Sequence, residues 1–449
     1  MLSLVEAAEQ IRNRKLSAAE LTRECLDRIE RLNPVLNAFI TVTPDLAMEQ
    51  AERADAEIIA GNWRGPLHGI PIALKDLIDV VGVRTTAASK QYPNRIAKED
   101  AAIVMQLRQA GAVILGKNNL HECAFGGSGV VGAFGPAKNP FDISRITGGS
   151  SSGSSAAVAA GMCIAAIGTD TAGSLRCPPA LCGVVGHRPS QGMLSGEGII
   201  PLAPSFDTPG PITRTVRDAV TILDCLAAPG AMKSSAGLNQ PVMKLKLGIA
   251  RNLSDDADPE VTRCFQAAVA TISELVSEVT ELDLQWETPT TIRNYETYRY
   301  HQGMLHRSPE LYDPRTLFRV RATEGVSEAD YQRALRELIE FNQSVRVFDT
   351  VDAVLTPTVP VAAPRLAELE AFDAAALRQF ELRYLLKNAF PFSYLWWPSV
   401  SVPCGFTSEG LPVGLQISAA PGADLVALRL AHAYEQATEW HKHMPPMAG

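Results

Sequence analysis

Ser154-Ser-Ala-Ala-Val-Ala-Ala-Gly-Met162 runs straight into Cys163-Ile-Ala-Ala-Ile167 and then Gly168-Thr-Asp170-Thr-Ala-Gly-Ser174. The first piece is a small-residue helix, the second a short apolar strand, and the third carries the small residues of a turn. The same alternation surrounds it. Gly69-Ile-Pro-Ile-Ala-Leu74 and Gly111-Ala-Val-Ile-Leu-Gly116 read as buried strands, with a helix over 101–109 between them and another over 215–227. Further strands are expected at 245–249, 353–355, 400–402 and 413–417. Such alternation points to an α/β fold with helices packed on a sheet. Ser17-Ala-Ala-Glu20 has the form of a capping box ahead of an apolar stripe at Leu21, Cys25, Ile29 and Leu32, so an amphipathic helix begins there.

A Gly/Ser/Pro-rich stretch at 229–241 reads as a loop. Strand signals lie on both sides of it, so one sheet completed by both halves is expected, in a single domain over 1–449. Within that domain the pattern separates a helical region at 1–60, a core at 65–228 and a mostly helical, more individual region at 285–390. No internal repeat is present.

Composition excludes several classes. Of 449 residues 46% are hydrophobic and 20% charged, which suits a large globular core. A formal charge of -8 argues against a general nucleic-acid binder, which needs a basic face. The eight cysteines contain no C-x-x-C pair and read as small buried hydrophobes of a reducing compartment. The N-terminus lacks the long apolar core of a secretory signal, and the Ala/Gly-rich run at 156–168 is shorter than a membrane span. A cytoplasmic protein that does not contact a membrane is expected. No H-E-x-x-H or similar ligand spacing appears, so neither a metal nor another cofactor is expected, and the eight histidines read as structural or surface residues.

Three segments can carry chemistry. A serine nucleophile needs a base, a turn that presents its hydroxyl, and amide N–H groups aimed at the developing oxyanion. Thr171-Ala-Gly-Ser174 follows a strand and precedes a helix expected to start near Leu175, where backbone amides converge and the helix end adds positive potential. Taken alone it reads first as an ordinary strand-to-helix turn with a capping serine, because such turns are common. Thr147-Gly-Gly-Ser150-Ser151-Ser152-Gly-Ser-Ser155 taken alone looks like a flexible linker, but it joins no two domains and runs into a helix, so its hydroxyls suit a proton-relay turn. Its G-x-S-x-G match lacks the preceding strand that an α/β-hydrolase requires. Lys75 ends an apolar strand; most lysines are solvated, yet partial desolvation there lowers its pKa and makes it a base. Gly127-Ser-Gly-Val-Val-Gly132 matches G-x-G-x-x-G without a strand before it or a helix after it, which argues against a dinucleotide.

Together these segments closely resemble the amidase signature family. The resemblance covers nearly the whole chain: Gly65-Pro-Leu-His-Gly-Ile-Pro-Ile-Ala-Leu-Lys-Asp76, Ala110-Gly-Ala-Val-Ile-Leu-Gly-Lys117, Pro201-Leu-Ala-Pro-Ser-Phe-Asp207, Leu355-Thr-Pro-Thr358, Ser401-Val-Pro-Cys-Gly405 and Gly410-Leu-Pro-Val-Gly-Leu-Gln416. Only 285–345 is hard to match. The resemblance implies a single large domain with a mixed, twisted β-sheet sandwiched between α-helices. It implies Ser174 as nucleophile, Ser150 as bridging serine in a cis peptide, and Lys75 as general base. The amides of Thr171, Ala172, Gly173 and Ser174 would form the oxyanion hole. Asp170 and Arg176 would brace the turn, and Ser151 would hold the bridging serine. Ala172 and Ser152 stand where glycine is common in the family, and a methyl at 172 bears on the width of the hole.

The implied activity is hydrolysis of a small or medium acyl amide, without cofactor and without nucleic acid, with a homodimer as the candidate assembly. Two rivals are carried. One is the glutamine-hydrolysing subunit of a tRNA-dependent amidotransferase, disfavoured by the Pro201-Leu-Ala-Pro-Ser-Phe-Asp-Thr-Pro-Gly-Pro211 run. The other is a catalytically inactive binding homologue. Arg315, Arg319 and Arg321 are candidates for a substrate carboxylate, although they read first as a solvated face. Tyr295, Tyr298, Tyr300, Phe390, Phe392, Trp396 and Trp397 read as core before pocket.

Overall fold

A computed structural model describes residues 1–227, 233–284 and 287–448. The expected loop at 229–241 is therefore seen only from residue 233 onward, and residues 285–286 of the region 285–390 lie outside the described residues.

Eleven strands form one mixed sheet: β1 (Phe39–Val42), β2 (Pro71–Lys75), β3 (Val113–Asn118), β4 (Ala165–Asp170), β5 (Val185–Arg188), β6 (Thr208–Thr213), β7 (Lys246–Ala250), β8 (Glu278–Leu282), β9 (Ala353–Pro357), β10 (Ser399–Phe406) and β11 (Pro412–Ala419). Their order is β1-β3-β2-β4-β6-β5-β10-β11-β9-β7-β8. β2 is parallel to β3 and to β4, whereas β4 and β5 each run antiparallel to β6. The two halves of the chain meet where β10 pairs antiparallel with β5, Ser399 opposite Arg188. This is the single sheet completed by both halves that the apolar runs lead one to expect.

Central strands β2 to β6 are buried at every residue, because helices cover both faces of the sheet. The edge strands β1 and β8 are only partly buried. The capping box is present as read: Ser17 Oγ accepts from Glu20 N, and the helix Ala18–Leu36 buries Leu21, Cys25, Ile29 and Leu32. The small residues of the opening stretch form the helix Ser152–Ala159, buried along its whole length. Only small side chains let a helix lie that close to the sheet. The helix expected at Leu175 starts two residues later and is short, Cys177–Leu181, since Pro178 and Pro179 are confined to its first turn.

One topological fact positions the site. β2 and β4 are parallel neighbours, so Lys75 at the end of β2 and Asp170 at the end of β4 emerge side by side. Open α/β sheets bind their ligands at such carboxyl ends.

Candidate active site

Lys75 is completely buried, and its Nζ donates to Ser150 Oγ at 2.7 Å and to Thr169 Oγ1 at 2.9 Å. Burial pulls its pKa down to about 7, against the pull of Asp170 and Asp207 in the other direction. Ser150 Oγ in turn donates to Ser174 Oγ at 2.9 Å. An amine, a hydroxyl and a second hydroxyl thus form one continuous hydrogen-bonded run, although their residues are 75 and 24 positions apart in sequence.

Ser150 is delivered by a tightly enclosed turn. The Gly149–Ser150 peptide is cis. Gly149 N donates to Gly127 O at 2.6 Å, and a Cβ at Gly149 would sit 2.7 Å from Gly129 N, so only glycine fits there. The G-x-G-x-x-G stretch therefore backs the serine turn; the residues just before it, Ala124, Phe125 and Gly126, line the cavity beside Ser174. Ser151 Oγ donates to Thr169 O at 3.2 Å, so it ties the serine turn to β4.

The turn at 171–174 is organised by one buried carboxylate. Asp170 accepts from Gly173 N at 2.8 Å, Leu175 N at 3.0 Å, and Arg176 Nε and Nη2 at 3.0 and 3.1 Å. Although burial alone raises its pKa, Arg176 and Arg188 hold it well below the usual carboxylate range. The Gly173 amide donates to Asp170, whereas the amides of Thr171, Ala172 and Ser174 donate to no other described residue. Gly173 has φ +136°, and a Cβ there would meet Ala389 Cβ at 2.6 Å. Ala172 is outside the positive-φ region and its methyl packs with an apolar cluster that includes Leu386, so alanine at 172 imposes no backbone strain.

Sequence reading missed the outer support. Arg188 Nη1 donates to Asp170 O at 2.6 Å, and Gln416 Oε1 accepts from Arg176 Nη1 at 2.9 Å. Thr171 Oγ1 donates to Asp207, whose other carboxylate oxygen accepts from Leu202 N and Ala203 N. Gln416 and Asp207 close two of the family-like motifs, which was the available signal. A cavity opens on Ser174, lined also by Thr171, Ala172, Arg293, Arg319, Glu381 and Leu386. A second, larger cavity shares Ala124, Thr171 and Leu202 with the first and is lined also by Leu77, Ile199, Pro201 and Asp207.

Of the arginines named from sequence, Arg319 lines the first cavity but is paired with Glu381 at 2.6 Å, and Arg315 is paired with Asp313 at 3.2 Å. None of the seven named aromatics lines either cavity; Phe392 and Trp397 belong to an apolar core cluster. Among the described residues no group of three or more His, Cys, Asp or Glu side chains is arranged to hold a metal ion. No helix of the described residues is long and apolar enough to cross a membrane.

A sequence profile described as Amidase matches residues 20–428. The chain belongs to the amidase family. It hydrolyses amide C–N bonds, as that membership and the similar structures establish. Among curated relatives, a Geobacter metallireducens protein named as a subunit of glutamyl-tRNA(Gln) amidotransferase is 37% identical over 98% of this chain and 98% of its own. A crystal structure described as an amidase is 33% identical with TM-score 0.88, covering 97% of this chain and 99% of that one. The native peptide amidase of Stenotrophomonas maltophilia is 29% identical with TM-score 0.83, covering 99% and 98% respectively.

Proposed function

We propose that this amidase works through an acyl-enzyme on Ser174. Neutral Lys75 takes a proton from Ser150 as Ser150 takes one from Ser174, and Ser174 Oγ bonds to the amide carbonyl carbon. The amides of Thr171, Ala172 and Ser174 receive the oxyanion. Collapse breaks the C–N bond while the proton returns through Ser150 to the leaving nitrogen, and water then releases the acid. The observation that supports this reading is the unbroken run from Lys75 Nζ through Ser150 Oγ to Ser174 Oγ, with an amine titrating near neutrality at its end.

For the amide itself, the curated relative favours glutamine over the free-standing reading that the sequence placed first, because the likeness to an amidotransferase component extends over 98% of both chains. The free-standing reading keeps support from the similar amidase and peptide amidase structures. The deciding experiment measures ammonia release by the purified chain from glutamine and from simple aliphatic amides, with and without the other subunits of a glutamyl-tRNA(Gln) amidotransferase. Glutamine hydrolysis that depends on those subunits supports the first reading. Turnover of simple amides by the chain alone supports the second. No turnover and no labelling by a fluorophosphonate under any of these conditions would overturn both and leave an inactive binding homologue.

A further inference from the structure

Arg293 is a buried cation without an anion. The residue is 6% exposed, lines the cavity that opens on Ser174, and pairs with no carboxylate among the described residues. Among those residues its Nε has no hydrogen-bond partner, and its Nη2 reaches only the neutral Asn294 Oδ1 at 3.4 Å. The guanidinium rests on two aromatic faces, 6.0 Å from the Phe125 ring centroid and 5.5 Å from that of Phe390.

Local structure does not account for it. Arg293 sits in the first turn of the helix Thr291–Arg307, where the helix dipole disfavours a cation and no acidic residue accompanies it. Burial pulls its pKa down to about 10, and the neighbouring Arg378 and Arg319 act in the same direction. Among the described residues the only carboxylate lining the cavity is Glu381, already engaged by Arg319 Nη1 and by Ser128 N and Oγ. Three guanidiniums thus face one committed carboxylate. Removing a charge from water without a partner is costly, and the cost is recovered when a ligand supplies the partner.

We infer that Arg293 receives a carboxylate carried on the acyl part of the substrate, so the preferred amides are those of dicarboxylic acids with one carboxyl free. This rests on Ser174 being the nucleophile that the same cavity presents. A planar carboxylate matches the guanidinium fork and would supply the anion that Arg293 lacks. With the cavity's charge uncompensated, a substrate of net charge -1 suits it better than a neutral amide. The zwitterion glutamine carries the same carboxylate but adds an ammonium next to it.

The test compares kcat/KM for the half-amides malonamate, succinamate and glutaramate with that for neutral amides of the same chain length, with glutamine alongside. At least a ten-fold preference for one half-amide over its neutral counterpart is expected. The ratio should fall at least ten-fold in Arg293→Gln, through KM, and recover in part in Arg293→Lys. Glutaramate exceeding glutamine supports the uncompensated charge; glutamine exceeding glutaramate overturns that part and moves the ammonium's partner to Glu381. A wild-type enzyme indifferent to the carboxylate, or an unchanged ratio in Arg293→Gln, overturns the proposal. Should Arg293→Gln fail to fold, judged by loss of fluorophosphonate labelling, the wild-type ratio and Arg293→Lys decide. If no amide is hydrolysed and Ser174 is never labelled, the underlying acyl-enzyme reading has failed instead.

Discussion

The backbone amide of Gly173 donates to Asp170 Oδ1 at 2.8 Å, which fixes the turn one residue before Ser174 to the end of the strand that feeds it. The same carboxylate carries Leu175 N and Arg176, and Arg188 approaches it at 3.4 Å. The turn is therefore held from within by a buried ion cluster, and its outward-facing amides keep their direction without substrate.

Asp170→Asn keeps the shape and removes the charge, leaving Arg176 and Arg188 buried without their counter-ion. A loss of about 3–5 kcal/mol is expected in denaturant unfolding, as for other broken buried pairs. Because the Asp170 carboxyl is held below its ordinary range, the stability it contributes is present above pH ~4 and lost as pH falls further. The acid limb of wild-type unfolding should be shallower in the variant. A change below about 1 kcal/mol would contradict the brace.

Lys75 must be neutral to accept a proton. With its pKa near 7 in the free enzyme, kcat/KM should rise with pH through about 7 and then level. A profile flat from pH 6 to pH 9 on a substrate whose chemistry limits the rate would contradict the assignment of the base.

The same shift has a stability consequence of opposite character. Between pH ~7 and ~10.5 the unfolded chain holds a proton on Lys75 that the folded one has lost, so stability from this group rises with pH across that window. Lys75→Met removes the penalty. It should raise Tm, by more at pH 7 than at pH 10, while reducing the rate about 100-fold or more. An equal Tm shift at both pH values would show that the lysine is not desolvated.

Gly173 and Ala172 should respond oppositely to exchange. Gly173→Ala places a methyl at φ +136° and 2.6 Å from Ala389 Cβ, and a destabilisation of about 2 kcal/mol or more is expected with loss of turnover. Ala172→Gly relieves no strain and should leave kcat within about three-fold, measured on the best amide found.

Much of this was legible in the sequence because it is local. The runs at 69–74, 111–116 and 163–167 are apolar enough to be buried on both faces, and they became β2, β3 and β4. β6 was missed because Thr208-Pro-Gly-Pro-Ile-Thr213 reads as a turn: its two prolines cannot donate to a ladder, yet antiparallel pairing of Pro209 with Thr169 and Pro211 with Ile167 accommodates them. β1 and β8 lie at sheet edges, where partial exposure blurs the pattern. At the site, motifs single out Lys75, Ser150 and Ser174, which the fold brings into one hydrogen-bonded run, but no spacing says that the Gly173 amide turns toward Asp170. Arg293 was invisible for a different reason. An arginine at a helix start reads as surface, and only the tertiary packing of Phe125 and Phe390 around it makes it buried and unpaired.

The central claim is that Ser174 carries the acyl group. It is tested most directly by labelling the protein with a fluorophosphonate and locating the adduct by peptide mass spectrometry. The expected result is one adduct per chain, on Ser174, absent from Ser174→Ala, which should also lose turnover by about 10⁴-fold or more. An adduct on another residue, or a Ser174→Ala protein that still hydrolyses its amide at the wild-type rate, would contradict it.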